Sequence, residues 1–170
     1  MAGDLELEHH DDVALIGRRP TVDELRELAL AVDWMDHYDW ASIGAALEGT
    51  LHGVVAVRDG ATVGSARLLG DGVKYFTIHD VIVHPDHQGD GLASRLVDHL
   101  LAHVASVAPA RAWVGLFASP DAEGLYESHG FGSDEMRGMW RWVQPNGPAP
   151  DEVRGRSTPG DPRDRGDRGY

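Results

Sequence analysis

At 170 residues the chain is long enough for one domain with its own hydrophobic core and too short for a multidomain machine. With 42% hydrophobic and 25% charged residues its composition is globular, no apolar run approaches the roughly 18 to 20 residues of a bilayer crossing, and the lack of cysteine removes disulfides, thiolate metal sites and a cysteine nucleophile. The formal net charge of -13, from 15 basic and 28 acidic residues, opposes binding to a polyphosphate backbone.

Residues 1–12 carry five acids and neither the basic start nor the apolar stretch of a secretory signal, so a flexible acidic N-terminus and a cytoplasmic address are expected. Thr21 followed by Glu24 forms a capping box, and Leu25, Leu28, Ala29 and Val32 continue at helical spacing. Trp34, Tyr38, Trp40, Ile43 and Leu47 suggest a second, short helical segment. Residues 51–69 read as two strands joined at Asp59-Gly60, a pair suited to the positive φ angles of a tight hairpin. A further strand-like run over 73–84 ends at Pro85, where a ladder loses its donor.

From Gly91 to Val104 the apolar residues Leu92, Ala93, Leu96, Val97, Leu100, Leu101 and Val104 share one helical face. A strand is expected in 111–117, a helix across 121–130 and a last strand-like segment from Met136 to Val143. Residues 145–170 hold five Pro, five Gly and ten charges, too little apolar content to offset the entropy of ordering, and read as a disordered tail. Meander followed by strand-helix-strand elements indicates an α+β domain with a mixed, mainly antiparallel central sheet flanked by helices.

The chemistry is concentrated in 81–97, where a strand gives way to a glycine-containing turn and then to the amphipathic helix. Gly89 and Gly91 allow close backbone approach or unusual dihedrals, and the unpaired N–H groups of the first helical turn can donate to phosphate oxygens. Main-chain donors can thus hold a pyrophosphate in a chain with one lysine and a large negative charge.

Gln88-Gly89-Asp90-Gly91-Leu92-Ala93 resembles the acetyl-CoA-binding motif of the GNAT superfamily of N-acetyltransferases, Gln/Arg-x-x-Gly-x-Gly/Ala. Upstream, Asp80-Val81-Ile82-Val83-His84-Pro85 is similar to the family's preceding strand, and downstream Leu125-Tyr126-Glu127-Ser128-His129-Gly130-Phe131 to its Tyr-x-x-x-Gly-Phe segment. The resemblance covers roughly residues 20–143, within a domain spanning 13–144. It implies that the backbone of Val81, with Ile82 and Val83, lies beside the pantetheine arm, and that Gln88, Gly89, Asp90, Gly91, Leu92, Ala93 and Ser94 surround the pyrophosphate. Many members place an Asn seven residues before the tyrosine, in contact with the cofactor; here Ser119 stands there, with a shorter side chain. Acetyl-CoA is then the cosubstrate, and Tyr126 the proton donor to the departing sulfur.

Acetyl transfer to an amine needs a neutral nucleophile, and for an amine of pKa about 10.4 deprotonation at pH 7 costs roughly 4 to 5 kcal/mol. Two candidates for the base lie on the strand before the turn, His79 and Asp80. Strict alternation sends them to opposite faces, Tyr75, Thr77, His79, Val81 and Val83 on one and Phe76, Ile78, Asp80, Ile82 and His84 on the other, unless a bulge breaks the parity. Glu24, Glu48 and Asp71 are candidates to shape the acceptor site, and the acidic body favours a cationic substrate.

The expected partner is therefore a small-molecule amine, with no nucleic acid and no membrane, and a homodimer is left open. No metal is expected: His84 with His87 falls in the cofactor turn, and His99 with His103, four apart on a helix, lacks an obvious third ligand. The rival readings are a noncatalytic acyl-CoA-binding module of the same fold, acetylation of a protein or peptide amine, and, more weakly, a dinucleotide-binding domain, against which the meander before the glycine turn argues.

Overall fold

The computed structural model describes residues 13–134 and 138–143, so the acidic N-terminus, the tail and Met136 lie outside the described residues. The chain divides into two compact units, Met1–Glu135 and Met136–Tyr170.

In the first unit five strands, β1 (Ala14–Ile16), β2 (His52–Arg58), β3 (Ala61–Gly70), β4 (Tyr75–Val83) and β5 (Trp113–Gly115), lie side by side in chain order. All neighbours are antiparallel except β4 and β5, which are parallel. Four helices accompany them: α1 (Val22–Ala31), α2 (Ile43–Glu48), α3 (Leu92–Val107) and α4 (Glu123–Ser128). This is the expected α+β architecture. Among the described residues no helix is long and apolar enough to cross a membrane.

Local signals explain most boundaries. The Thr21 hydroxyl accepts from the Glu24 N–H at 3.2 Å while the Glu24 carboxylate accepts from the Thr21 N–H at 2.7 Å, closing the capping box that starts α1. The β2–β3 hairpin turns through Asp59 (φ 51) and Gly60 (φ 81), the left-handed pair its sequence favours. Helix α3 buries Leu92, Leu96, Val97, Leu100 and Val104 and stops at Ala108, held extended by the proline that follows it.

Apolar packing forms two clusters. Val54, Ala56, Ala66, Leu68, Phe76, Ile78 and Val83 meet Leu96, Val97 and Leu100 of α3, whereas Ile82 joins Leu25, Leu28, Ile43 and Leu47 of α1 and α2. A fully buried leucine of either cluster contributes roughly 2 to 3 kcal/mol through its removal from water.

Two departures from the sequence reading stand out. Phe76, Ile78 and Ile82 share a parity yet divide between the two clusters, so alternation along β4 breaks between them. The register against β3 shifts there, from Arg67↔His79 to Ser65↔Ile82, and Asp80 takes φ 50, a bulge that inserts one extra residue. The expected divergence of His79 and Asp80 is corrected accordingly: His79 sits opposite Arg67, and Asp80 turns to the same arginine. In the second unit, residues 138–143 form no strand. A strand needs a partner ladder, and the described part of that unit offers none. The short strand β1, by contrast, was not anticipated, since three residues carry too little pattern to read.

Candidate active site

Strand β4 and helix α3 meet at a corner made from residues 84–91. His84 Nδ1 accepts from the Asp86 N–H at 3.3 Å, a single 3-10 turn follows over Pro85–His87, and the Gln88 side-chain amide donates back to the Val83 carbonyl at 2.9 Å. Gly89 (φ 91) and Gly91 (φ 76) then adopt left-handed backbone, which costs glycine little and other residues more. At both positions the space a Cβ would enter is open, with no heavy atom within 4 Å.

Gly91 is the N-cap of α3, so the N–H groups of Leu92, Ala93 and Ser94 have no acceptor within the helix. Partial positive charge from the helix adds to theirs. The Leu92 side chain is buried, leaving its main chain to face the corner, while Asp90 is exposed. Arg95 is turned elsewhere, its guanidinium donating to the Val13 carbonyl at 2.9 Å. The corner's binding capacity is thus main-chain in character.

Beside it the sheet opens. Pairing between β4 and β5 runs only from Tyr75↔Trp113 to Thr77↔Gly115, so among the described residues the edge of β4 beyond Thr77 has no strand partner. Val81 is partly buried and Ile82 and Val83 buried, one on each side of the sheet, and their peptide groups border that opening. A linear chain carrying amides can extend the sheet here by main-chain hydrogen bonds.

Tyr126, on α4, is 9% exposed and packs its ring edge-on against Phe131, centroids 6.0 Å apart. It belongs to the α3-side cluster, which also takes in Val81 and Val83. Burial raises its pKa above the usual phenol value, so the hydroxyl stays protonated at neutral pH. Ser119 is exposed, and its carbonyl accepts from the Ala122 N–H at 2.9 Å in the turn that leads into α4.

Under the bulge lies a polar network that sequence reasoning missed in part. Arg67, only 6% exposed, donates through Nε to the Asp80 carboxylate at 2.5 Å and forms an ion pair with it through Nη2. Arg67 Nη1 donates to the Ala46 carbonyl at 3.3 Å and the Thr50 hydroxyl at 3.1 Å, and the Tyr38 hydroxyl donates to the other Asp80 oxygen at 3.0 Å. Burial, reinforced by Asp80, pushes the Tyr38 phenol up. Arg67 had a signal: it is the one charged residue in β3, and a charge in a central strand demands a partner. Tyr38, one aromatic among several, had none.

His79 is half-buried, and that burial lowers its pKa; Asp80 works against the shift and Arg67 with it. The imidazole is therefore neutral at pH 7 and able to accept a proton.

The three acids expected to shape an acceptor site are occupied by their neighbours. Arg18 grips the Glu24 carboxylate at 2.6 and 2.7 Å with Thr62 at 2.6 Å, Glu48 pairs with Arg19 at 3.3 Å, and Asp71 accepts from the N–H groups of Val73, Lys74 and Tyr75. Among the described residues no group of three His, Asp or Glu is arranged to hold a metal ion.

Comparison with known proteins gives the same reading of the fold. Residues 19–131 match the family described as "Acetyltransferase (GNAT) family". An uncharacterized N-acetyltransferase, ycf52, of Porphyra purpurea is 30% identical over 122 residues, 69% of each chain. Serotonin N-acetyltransferase 2 of rice chloroplasts is 35% identical over 82 residues, 47% of this chain and 40% of that protein. In three dimensions, a protein of unknown function from meticillin-resistant Staphylococcus aureus, described as a probable acetyltransferase, superposes with TM-score 0.69 at 23% identity over 78% of this chain and 98% of the other. The chain spans between 37% and 69% of the length of the curated relatives it matches.

Proposed function

The chain belongs to the acetyltransferase (GNAT) family, and on that premise we propose that it moves the acetyl group of acetyl-CoA directly to a primary amine of a small molecule. The observation that carries this reading is the corner at Gly91, where unpaired helix N–H groups and two left-handed glycines adjoin a β4 edge that β5 leaves open. A diphosphate suits the first and a pantetheine arm the second. The main chain of Val81 to Val83 is the assigned wall of the arm, with residues 88–94 around the diphosphate and Ser119 near the entry to α4.

In the reaction, the amine lone pair attacks the thioester carbon, the carbonyl oxygen takes negative charge, and collapse breaks the C–S bond. The thiolate leaves with a proton from the Tyr126 hydroxyl, and the amine gives its own proton to His79 through a water. A phenol above pKa 10 is a weaker acid than a thiol near 8.5, so the transfer is uphill by roughly 2 kcal/mol. Tyr126 therefore acts mainly by hydrogen bonding to the sulfur as the bond breaks. Asp80, with both oxygens engaged by Arg67 and Tyr38, is assigned to holding the bulge and orienting His79, not to taking the proton. The rice relative's name attaches it to an amine of this small, primary kind.

The test is release of free thiol from acetyl-CoA across a panel of small amines and lysine peptides. Turnover with a small amine, reduced 10- to 100-fold in Tyr126→Phe with an unchanged melting temperature, is expected. Binding of acetyl-CoA with no turnover on any acceptor would make the chain a carrier-binding module instead, and full activity in Tyr126→Phe would remove its role.

A further inference from the structure

Helix α3 carries His99 and His103 one turn apart, and the fold sets a third imidazole, His52 at the start of β2, against them. His52 Nε2 lies 3.1 Å from His99 Nε2, and the His52 ring stacks on His103 with centroids 3.8 Å apart and 3° between planes. The chain leaving β1 runs over this stack: a methyl group on Gly17 would stand 3.4 Å from His99 Nε2 and 3.5 Å from His52 Cε1. One turn earlier, Arg95 donates to the Val13 carbonyl at the other end of β1. Strand β1 pairs with β2 through three residues and packs Leu15 on the α3-side core, and the chain that leaves it crosses the point where His52 of β2 meets α3.

Proton counting makes the imidazole tie conditional. Two facing Nε2 atoms at 3.1 Å form a hydrogen bond only when one carries a hydrogen and the other does not. A single proton can be shared, but a second leaves two N–H groups pointing at each other, and a cation on His103 would stack directly on a cation at His52. Successive protonations of such a cluster oppose one another and belong to the group as a whole. Burial, then His103 and His99, depress the His52 pKa. Such a depressed base contributes stability that is present above its ordinary value near 6.5 and lost as pH falls below it.

Among the described residues, the other charged groups around the stack are engaged elsewhere. Arg18 and Arg19, which follow Gly17, pair with Glu24 and Glu48; Asp98, beside His99, pairs with His129 at the end of α4; and β3 presents Leu68 opposite His52. Among the described residues no carboxylate contributes to the shift at His52 to offset the accumulating charge.

We propose that His52, His99 and His103 form a proton-operated latch, which holds the start of β2, and the chain leaving β1 across it, on α3 while the cluster carries at most one proton and loosens that edge of the sheet on acidification. The proposal needs none of the catalytic assignments.

Amide hydrogen exchange of the full chain at pH 7.5 and 5.5, corrected for intrinsic rates and run with and without EDTA, tests it. Peptides covering residues 13–17 should lose at least tenfold in protection at pH 5.5 while β3 and β4 stay protected. The difference should shrink below threefold in His103→Phe, which keeps a stacked ring without a charge, and in His99→Gln, whose amide can still bond to His52; either variant suffices if the other does not fold. Equal protection at the two pH values in the wild type, or an undiminished loss in both variants, would overturn the latch. So would protection at pH 7.5 that collapses on adding EDTA, which would mean a metal bridge.

Discussion

Arg67 and Asp80 form a buried ion pair across the one irregularity in the β3–β4 ladder, and the pair and the bulge sustain each other. A bulge with φ 50 at a non-glycine residue carries a conformational cost, and a buried guanidinium carries a desolvation cost. Each is tolerated because the geometry of the other answers it, with Tyr38, Ala46 and Thr50 completing the hydrogen bonding.

It follows that removing one partner is worse than removing a surface pair. Arg67→Met should lower unfolding free energy by about 3 to 5 kcal/mol, because Asp80 is left as an uncompensated buried charge. Asp80→Asn, which retains tolerance for left-handed backbone and the bond from Tyr38, should cost less than Arg67→Met. Urea denaturation of the two variants checks the order; a loss below 1 kcal/mol in Arg67→Met would show that the pair is not a structural requirement of the bulge.

Gly91 offers a test of the corner separate from any catalysis. Its φ of 76 makes alanine there cost about 1 to 2 kcal/mol, and the added methyl would enter the open space of the corner. Gly91→Ala should fold with a modestly lower melting temperature and bind acetyl-CoA at least tenfold more weakly by calorimetry. Unchanged affinity would place the diphosphate elsewhere.

Glu24 gives a pH signature of folding. Its hydrogen bonds from Arg18, opposed by burial and helped by Thr21 and Thr62, hold the carboxyl at about 2 in the fold against an ordinary 4.5. A depressed carboxyl contributes stability that is complete above the ordinary value and is lost as pH falls from about 4.5 toward 2. The contribution is roughly 2 to 3 kcal/mol after solvent screening. Glu24→Gln should accordingly be less stable than the wild type at pH 7, with the gap closing on acidification by chemical denaturation; a gap constant down to pH 2.5 would contradict the linkage.

What could be read from the sequence is what short-range chemistry decides. The Thr21–Glu24 box, the Asp59-Gly60 turn, the apolar face of α3 and the glycines of the corner are each specified within a few residues, and each takes the expected form. The bulge escaped because period-two alternation is a property of an unbroken ladder, whereas the break is set by a contact between Arg67 and Asp80 on different strands. The histidine stack escaped for the same reason: His99 and His103 announce themselves by spacing, but only the packing of β2 on α3 supplies His52. Strand β1, at three residues, exists through its partner and has no pattern of its own.

His79 carries the most direct prediction about rate. As a neutral, half-buried imidazole it titrates below its ordinary value near 6.5, lowered first by burial and then by Arg67, with Asp80 pulling the other way. Only the neutral form can accept a proton, so kcat/KM should fall on the acid side with a midpoint below 6.5. An alkylamine acceptor adds a second rise toward its own pKa near 10, well separated from the first. Replacing His79 with Gln should abolish the lower limb and reduce the rate about 100-fold, the usual scale for a general base. The same limb should survive in His103→Phe, since the groups that shift His79 are Asp80 and Arg67, not the histidine stack. A pH–rate profile in which His79→Gln keeps the acid limb would transfer the proton to another group.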